Sequence, residues 1–385
     1  MYPRLFTPPE ARSFFVFGPR GTGKSSWMRA HYRDAVYIDL LESDTYLSLL
    51  AAPNRLGDGI PPGYRGRVVI DEVQKVPALL DEVHRLIETR KLKFALTGSS
   101  ARKLKRKGVN LLAGRALTLH MHPLTAVELG SDFELGRSLL FGHLPGVHDD
   151  FEPDLAKKFL RSYVTTFLRE EVQQEGLTRN IAAFTRFLEA AAFSQAATLN
   201  VTAVARECQV ERKVVEDYFS ILEDLLLAAR LPVFTRRAKR ATVTHSKFFF
   251  FDAGVFRALR PLGPLDSSAE LEGAALETLV FQELRAHNDY GDFNYTLSHW
   301  RTQSGLEVDF VLYGEQGLKA VEVKRTSRLR GEDFRSLKAF GEDYPMAERF
   351  LVYTGRKSYQ EGGIRVIPAA DFIRRIPILL AADRT

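Results

Sequence analysis

The eight residues from Gly18 to Ser25, GPRGTGKS, constrain this chain more than any other stretch. They follow an apolar run of strand length, SFFVF at 13–17, and precede SWMRA, which reads as a helix. Strand, glycine-rich loop and helix in this order match G-x-x-x-x-G-K-[ST] at every fixed position. Gly18, Gly21 and Gly23 let the backbone curl until successive N–H groups face one anion, and the helix N-terminus adds partial positive charge. That is phosphate-binding chemistry. Lys24 would reach the β- and γ-phosphates of a nucleoside triphosphate, and the Ser25 hydroxyl would ligate Mg²⁺. Pro19, Arg20, Thr22 and Ser26 complete the expected nucleotide-binding set.

A second strand, RVVIDE at 67–72, ends in two acids. Asp71 fits the acid that holds Mg²⁺, and Glu72 fits the acid that polarises the attacking water. A third strand, KFALTGSS at 93–100, ends in hydroxyls, so Thr97 or Ser99 is placed to sense the γ-phosphate. Arg115, after Gly114, is a candidate arginine finger across a subunit boundary. Tyr37–Leu40 reads as a further strand. Strands alternating with helices imply a parallel sheet covered on both faces.

From about residue 154 to 230 the apolar spacing is helical, with Phe159, Tyr163, Phe167 and Leu168 on one face and a second set from Ile181 through Phe184, Phe187 and Leu188. Residues 201–222 have helix-turn-helix spacing, with Gln209 where the tight turn favours glycine. Arg212 and Lys213 would open the second helix, where such helices touch DNA. The segment 231–251, two strand-like runs around a basic stretch, would form a wing.

The stretch GLEVDFVLYGEQGLKAVEVKR at 305–325 reads as a β-hairpin. Glu322 and Lys324 share one face of its second strand. Asp309 stands among Val308, Phe310, Val311 and Leu312, where an acid is costly unless a charge meets it; a divalent metal or Lys324 would serve. Glu277 raises the same issue on a helical apolar stripe with Val280, Phe281 and Leu284. Glu277, Asp309, Glu322 and Lys324 have the order and spacing of the PD-(D/E)xK nuclease core, in which carboxylates bind Mg²⁺ and the lysine orients or deprotonates a water. The other reading keeps these charges for structure or ligand binding.

A length of 385 residues predicts two or three domains. No apolar run approaches the roughly 20 residues of a membrane helix, and MYPRLFTPPE lacks the features of a signal peptide. The single cysteine, Cys208, fits a reducing, cytoplasmic setting. A net charge of +6 permits nucleic-acid binding, with basic stretches at 102–107, 236–240 and 324–330.

The chain resembles the prokaryotic AAA-type P-loop ATPases that carry a large C-terminal domain of unknown function. GPRGTGKSS at 18–26, VVIDEVQKVP at 68–77, FALTGSSARKL at 94–104, LLAGRA at 111–116 and MHPLTAVEL at 121–129 carry the resemblance. So do KFFFFDAGVFRAL at 247–259, ETLVFQEL at 277–284, HWRTQSGLEVDFVL at 299–312 and AVEVKR at 320–325. The resemblance implies an α/β architecture with a P-loop ATPase domain over 1–130, a helical and winged-helix region over 131–250, and a restriction-endonuclease-like α/β domain over 251–385. It implies ATP and Mg²⁺ as cofactors and a homo-oligomer such as a ring. The expected function is ATP hydrolysis coupled to DNA binding or metal-dependent DNA cleavage; the alternative is a non-cleaving ATPase switch that binds DNA or a protein partner.

Overall fold

The computed structural model describes all residues except 1, 101–103, 105–111, 113, 150, 169–179, 237–238, 264–266 and 382–385, together with the side chains of 167 and 168. The basic stretch 102–107, apart from Leu104, therefore lies outside the described residues, as do the side chains expected at Phe167 and Leu168. The chain forms two compact units. One spans residues 4–122 and adds 224–227; the other holds the first three residues, 123–223 and 228–385.

The first unit is built on five parallel strands: β1 Ser13–Phe17, β2 Val36–Asp39, β3 Arg67–Asp71, β4 Lys93–Gly98 and β5 Ala116–His120. Their order is β2-β3-β4-β1-β5. Strand β1 has a partner on both edges and every residue buried, which is why it reads as an unbroken apolar run. Helices Lys24–His31, Ser43–Ala51 and Leu79–Arg90 make the crossovers. Phe15, Phe17, Ile70, Phe94 and Leu96 pack with Val83 and Leu86 of the third helix in the core. Each such side chain stabilises the fold by roughly 1.5–3 kcal/mol relative to exposure. Because all five strands run the same way, the C-terminal ends of β1, β3 and β4 share one edge of the sheet. Val16 is level with Thr97, and Ile70 with Leu96, so Asp71 reaches that edge beside Thr97.

In the second unit, helix Pro153–Ser162 runs into a π-helical stretch at Tyr163–Leu168. Helix Ile181–Ala192 is followed by β6 Ala197–Thr198, helices Val201–Cys208 and Arg212–Asp224, β7 Ala228–Leu231 and β8 Lys247–Phe250. Strand β8 lies between β6 and β7, antiparallel to both. Phe187, Phe219 and Phe248 stack edge to face at 4.8 and 5.0 Å, fastening helices to sheet. The turn between the paired helices closes with Gln209 at φ 57°, the left-handed conformation glycine takes at lower cost.

A six-stranded mixed sheet completes this unit: β9 Thr296–Arg301, β10 Glu307–Gly314, β11 Gly317–Lys324, β12 Glu348–Tyr353, β13 Tyr359–Glu361 and β14 Ile364–Pro368, ordered β13-β14-β12-β11-β10-β9. The expected hairpin is β10–β11, closing with Gly314 opposite Gly317. On β12, Leu351 faces the cluster of Leu337 and Phe340, while Phe350 meets Phe372 on the other face. Helices thus cover both faces.

Burial and the nearby His143 push His148 down to about 4. Its ring bonds Arg137 Nη2 at 3.0 Å and the Gly142 carbonyl at 3.1 Å. A histidine whose folded pKa is depressed gives stability that is full above its unfolded value near 6.5 and is lost as pH falls toward 4. Acidification from pH 7 to 5 should therefore cost about 2 kcal/mol through this residue. Urea denaturation of wild type and His148→Gln at both pH values checks this: the variant should show the smaller loss, and equal losses would refute the assignment.

Candidate functional site

The Gly18–Ser25 loop leaves β1 at the shared edge of the parallel sheet and enters helix Lys24–His31. A Cβ at Gly18 would stand 2.2 Å from the Met121 carbonyl oxygen, so only glycine fits. Gly21 and Gly23 sit at φ 81° and 91°. The buried Lys24 ammonium donates to the Gly18 carbonyl at 2.6 Å and the Pro19 carbonyl at 3.0 Å. Arg4 ties the loop to the end of β5, donating to the Thr22 carbonyl at 2.7 Å and the His122 carbonyl at 2.6 Å. Ser25 is half-buried and Ser26 exposed, both in the first turn of the helix.

Asp71 is 1% exposed at the end of β3. Tyr37 donates to one of its carboxylate oxygens at 2.6 Å and Thr97 to the other. Burial and the Asp71 carboxylate push the Tyr37 phenol far above its ordinary value, so it stays a donor. The next residue, Glu72, takes φ 61° and ψ 45°, costly for a side chain of this size. Its N–H donates to Thr97 Oγ1 at 3.1 Å, and its carboxylate accepts from the Gln74 amide. Gln74 also donates to Ser99 Oγ at 3.2 Å. The two hydroxyls expected from the sequence thus divide: Thr97 orients Asp71 and the Glu72 backbone, and Ser99 supports Gln74. Tyr37, Gln74 and Arg4 escaped the sequence reading. They reach the site only through strand order, which no local spacing announces.

The residues fit a Mg²⁺-nucleotide. The loop takes conformations and close approaches open only to glycine, and the hydroxyl–carboxylate pair Ser25 and Asp71 offers hard oxygen donors of the type Mg²⁺ prefers. Arg115 is not brought to this group. It precedes β5, at the opposite end of the parallel sheet from the loop, and pairs with Glu88 of helix Leu79–Arg90 at 2.5 Å.

Residues 10–130 match the model of the AAA domain family. Residues 132–266 and 272–372 match two further models, each described as a domain of unknown function (DUF8612 and DUF4143). No curated protein matches the chain. Among solved structures it is similar to the Orc1 protein of Aeropyrum pernix in complex with DNA, at 14% identity over 66% of this chain and 87% of that one, with a TM-score of 0.29. A Signal Transduction ATPase with Numerous Domains from Pyrococcus horikoshii shows 15% identity over 76% of this chain and 48% of that one, TM-score 0.22. A Vibrio cholerae protein shows 12% identity over 96% and 97%, TM-score 0.24.

The second unit holds the other predicted constellation. Helix Ser268–Tyr290 brings Glu277, and strands β10 and β11 bring Asp309, Glu322 and Lys324. The charge that meets Asp309 most closely is one the sequence reading left without a role: Lys247, at the start of β8. Its ammonium is 2.7 Å from Asp309 Oδ1, 2.6 Å from Glu307 Oε1 and 3.2 Å from Glu277 Oε2. The other Asp309 oxygen accepts the Val323 N–H at 2.8 Å, where a β-bulge interrupts the β10 pairing with β9. Lys324 pairs with Glu322 at 2.6 Å, and Arg301 with Glu307 at 3.1 Å.

Three cations therefore face four acids, and the excess falls on Glu277 and Glu322. Burial and Asp309 push Glu277 up to about 8 and Glu322 well above the carboxylate range. Burial alone would raise Asp309 as well, but Lys247 and Lys324 outweigh it and hold that carboxyl low. Lys247 stays charged despite its burial because Asp309, Glu277 and Glu307 surround it. A divalent ion does not fit the set expected from the sequence, Glu277, Asp309 and Glu322. Two of these acids already share an ammonium and the third has its own lysine. Among the described residues no group of three His, Cys, Asp or Glu is arranged to hold a metal.

Within 236–240 and 324–330 several basic residues have acidic partners in the same unit. Arg240 pairs with Glu342 and Asp343, Arg325 with Glu272, and Arg330 with Glu332. No described helix is long and apolar enough to cross a membrane.

Proposed function

We propose that the chain is a Mg²⁺-dependent ATPase whose second unit acts by binding rather than by cutting. The observation that carries the first half is the buried Asp71, held by Tyr37 and Thr97 at the strand edge where Lys24 leaves the loop, with Glu72 fixed beside it by Gln74. Mg²⁺-ATP would supply the phosphoryl group and the charge that shields it. Lys24, Ser25 and the loop N–H groups bind and orient the triphosphate, Asp71 offers the oxygen ligand, and Glu72 accepts a proton from the attacking water. Glu72→Gln keeps the shape and loses the base. Its turnover should fall by about 100-fold or more, while binding of a fluorescent ATP analogue persists. Wild-type turnover in this variant would remove Glu72 from the mechanism.

The second half rests on Lys247, which occupies the acids a nuclease would give to metal. For the partner we favour DNA. The helix–strand–helix–helix–strand–strand order around β8 supports a winged-helix reading, and Lys213 is exposed at the start of helix Arg212–Asp224. Arg212 there is bridged to Glu216 at 3.0 Å, so Lys213 is the better phosphate contact. Fluorescence anisotropy with duplex DNA tests this: affinity should fall steeply between low and physiological salt as counterions are released, whereas a flat response would indicate a protein partner. A homo-oligomer enters the proposal through Arg115, which could meet only a neighbour's nucleotide; sedimentation with and without ATP examines it.

A further inference from the structure

The acidic site of the second unit contains its own cation. A primary ammonium carries three N–H donors and no acceptor. Lys247 donates to Asp309 of β10 and Glu277 of helix Ser268–Tyr290 and forms an ion pair with Glu307 of β10, so three acids from two elements surround it. The lysine is 2% exposed. It arrives on a strand locked in place by aromatic stacking, with the Phe249 ring 4.5 Å from Phe281 and 5.7 Å from Phe310. Those two rings belong to the same helix and strand that carry Glu277 and Asp309. Lysine and acids are thus positioned by one packed cluster. A cation therefore already stands among these acids, supplied by the chain itself.

We propose that the Lys247 ammonium is the resident cation of this site, standing where a divalent ion would bind, so that the native site refuses metal and loss of the lysine side chain turns it into a divalent-cation site. Without Lys247 the three acids lose the cation they share, and what remains is the Val323 N–H at Asp309 and Arg301 at Glu307. Hard oxygen donors in that number are the ligand type that Mn²⁺ and Mg²⁺ take. The inference stands apart from the nucleotide reading, because its test contains no nucleotide.

The test is Mn²⁺ titration of the full chain by electron paramagnetic resonance, with thermal melting beside it, for wild type, Lys247→Ala, Asp309→Asn and Lys247→Ala/Asp309→Asn. Lys247→Ala should gain one Mn²⁺ per chain that the double variant loses, and Mn²⁺ should raise its melting midpoint. Wild type should show no Mn²⁺ binding that Asp309→Asn removes, and no such shift. Mn²⁺ bound by wild type in an Asp309-dependent manner would overturn the proposal, as would a folded Lys247→Ala that gains no ion. If Lys247→Ala folds only with metal, recovery of a cooperative melt on adding Mn²⁺ supports the proposal. If it does not fold even then, Lys247→Met, which keeps the aliphatic stem, carries the same measurement, and failure of both variants to gain the ion or fold with it sinks the idea.

Discussion

Replacing Lys24 with alanine is expected to lower ATP turnover by about two to three orders of magnitude. Lys24 is 5% exposed, and its ammonium lies against the carbonyls of the loop it belongs to, held at 2.6 and 3.0 Å. Deleting it removes a positioned charge from a water-poor cradle, where charge acts through a low dielectric. Charge develops on the transferred phosphoryl oxygens during the reaction, so the loss should appear more in kcat than in nucleotide affinity. The fold should survive, because the lysine stem packs beside a loop whose shape is set by Gly18, Gly21 and Gly23. Phosphate release and a thermal melt on the same preparation separate the two effects. Turnover within about tenfold of wild type, with an unchanged melt, would mean that the loop does not serve hydrolysis.

The second large effect concerns stability. Asp252 is fully buried and accepts three backbone N–H groups: His143 at 2.7 Å, Gly254 at 2.9 Å and Val255 at 3.0 Å. It caps helix Ala253–Leu259 and pins the chain at Gly142 to that helix. The approach is close enough that a Cβ at Gly142 would lie 2.0 Å from Asp252 Oδ1, and one at Gly254 would lie 2.1 Å from the Phe141 carbonyl oxygen. Asp252→Ala should cost about 3–5 kcal/mol, the sum expected for stranding these donors. The melting midpoint of the second unit should fall by roughly 10 °C. Asp252→Asn, which keeps one acceptor oxygen, should lose less. Equal melting of Asp252→Ala and wild type would show that the capping bonds add nothing net.

Much of the nucleotide site was legible because its information is local. A strand, a loop of fixed spacing and a helix fall within 13–31, and the strand Arg67–Asp71 ends on the acid that the pattern required. What the sequence hid is the support. Tyr37 meets Asp71 because β2 happens to lie beside β3, and Gln74 meets Glu72 because that residue takes a left-handed turn. The C-terminal hairpin and the need for a charge at Asp309 were also readable. The identity of that charge was not, since Lys247 is 62 residues away and comes from a different sheet. One signal was available. A lysine opening a run of four phenylalanines is a charge on a buried strand, and the rule applied to Asp309 applies equally to it.

Hydrolysis by the first unit is measured most directly as phosphate release from ATP by the purified full chain, with Mg²⁺ and with the metal chelated. Turnover should need Mg²⁺ and disappear on chelation. A folded chain that binds ATP yet releases no phosphate above background with Mg²⁺ would contradict this expectation.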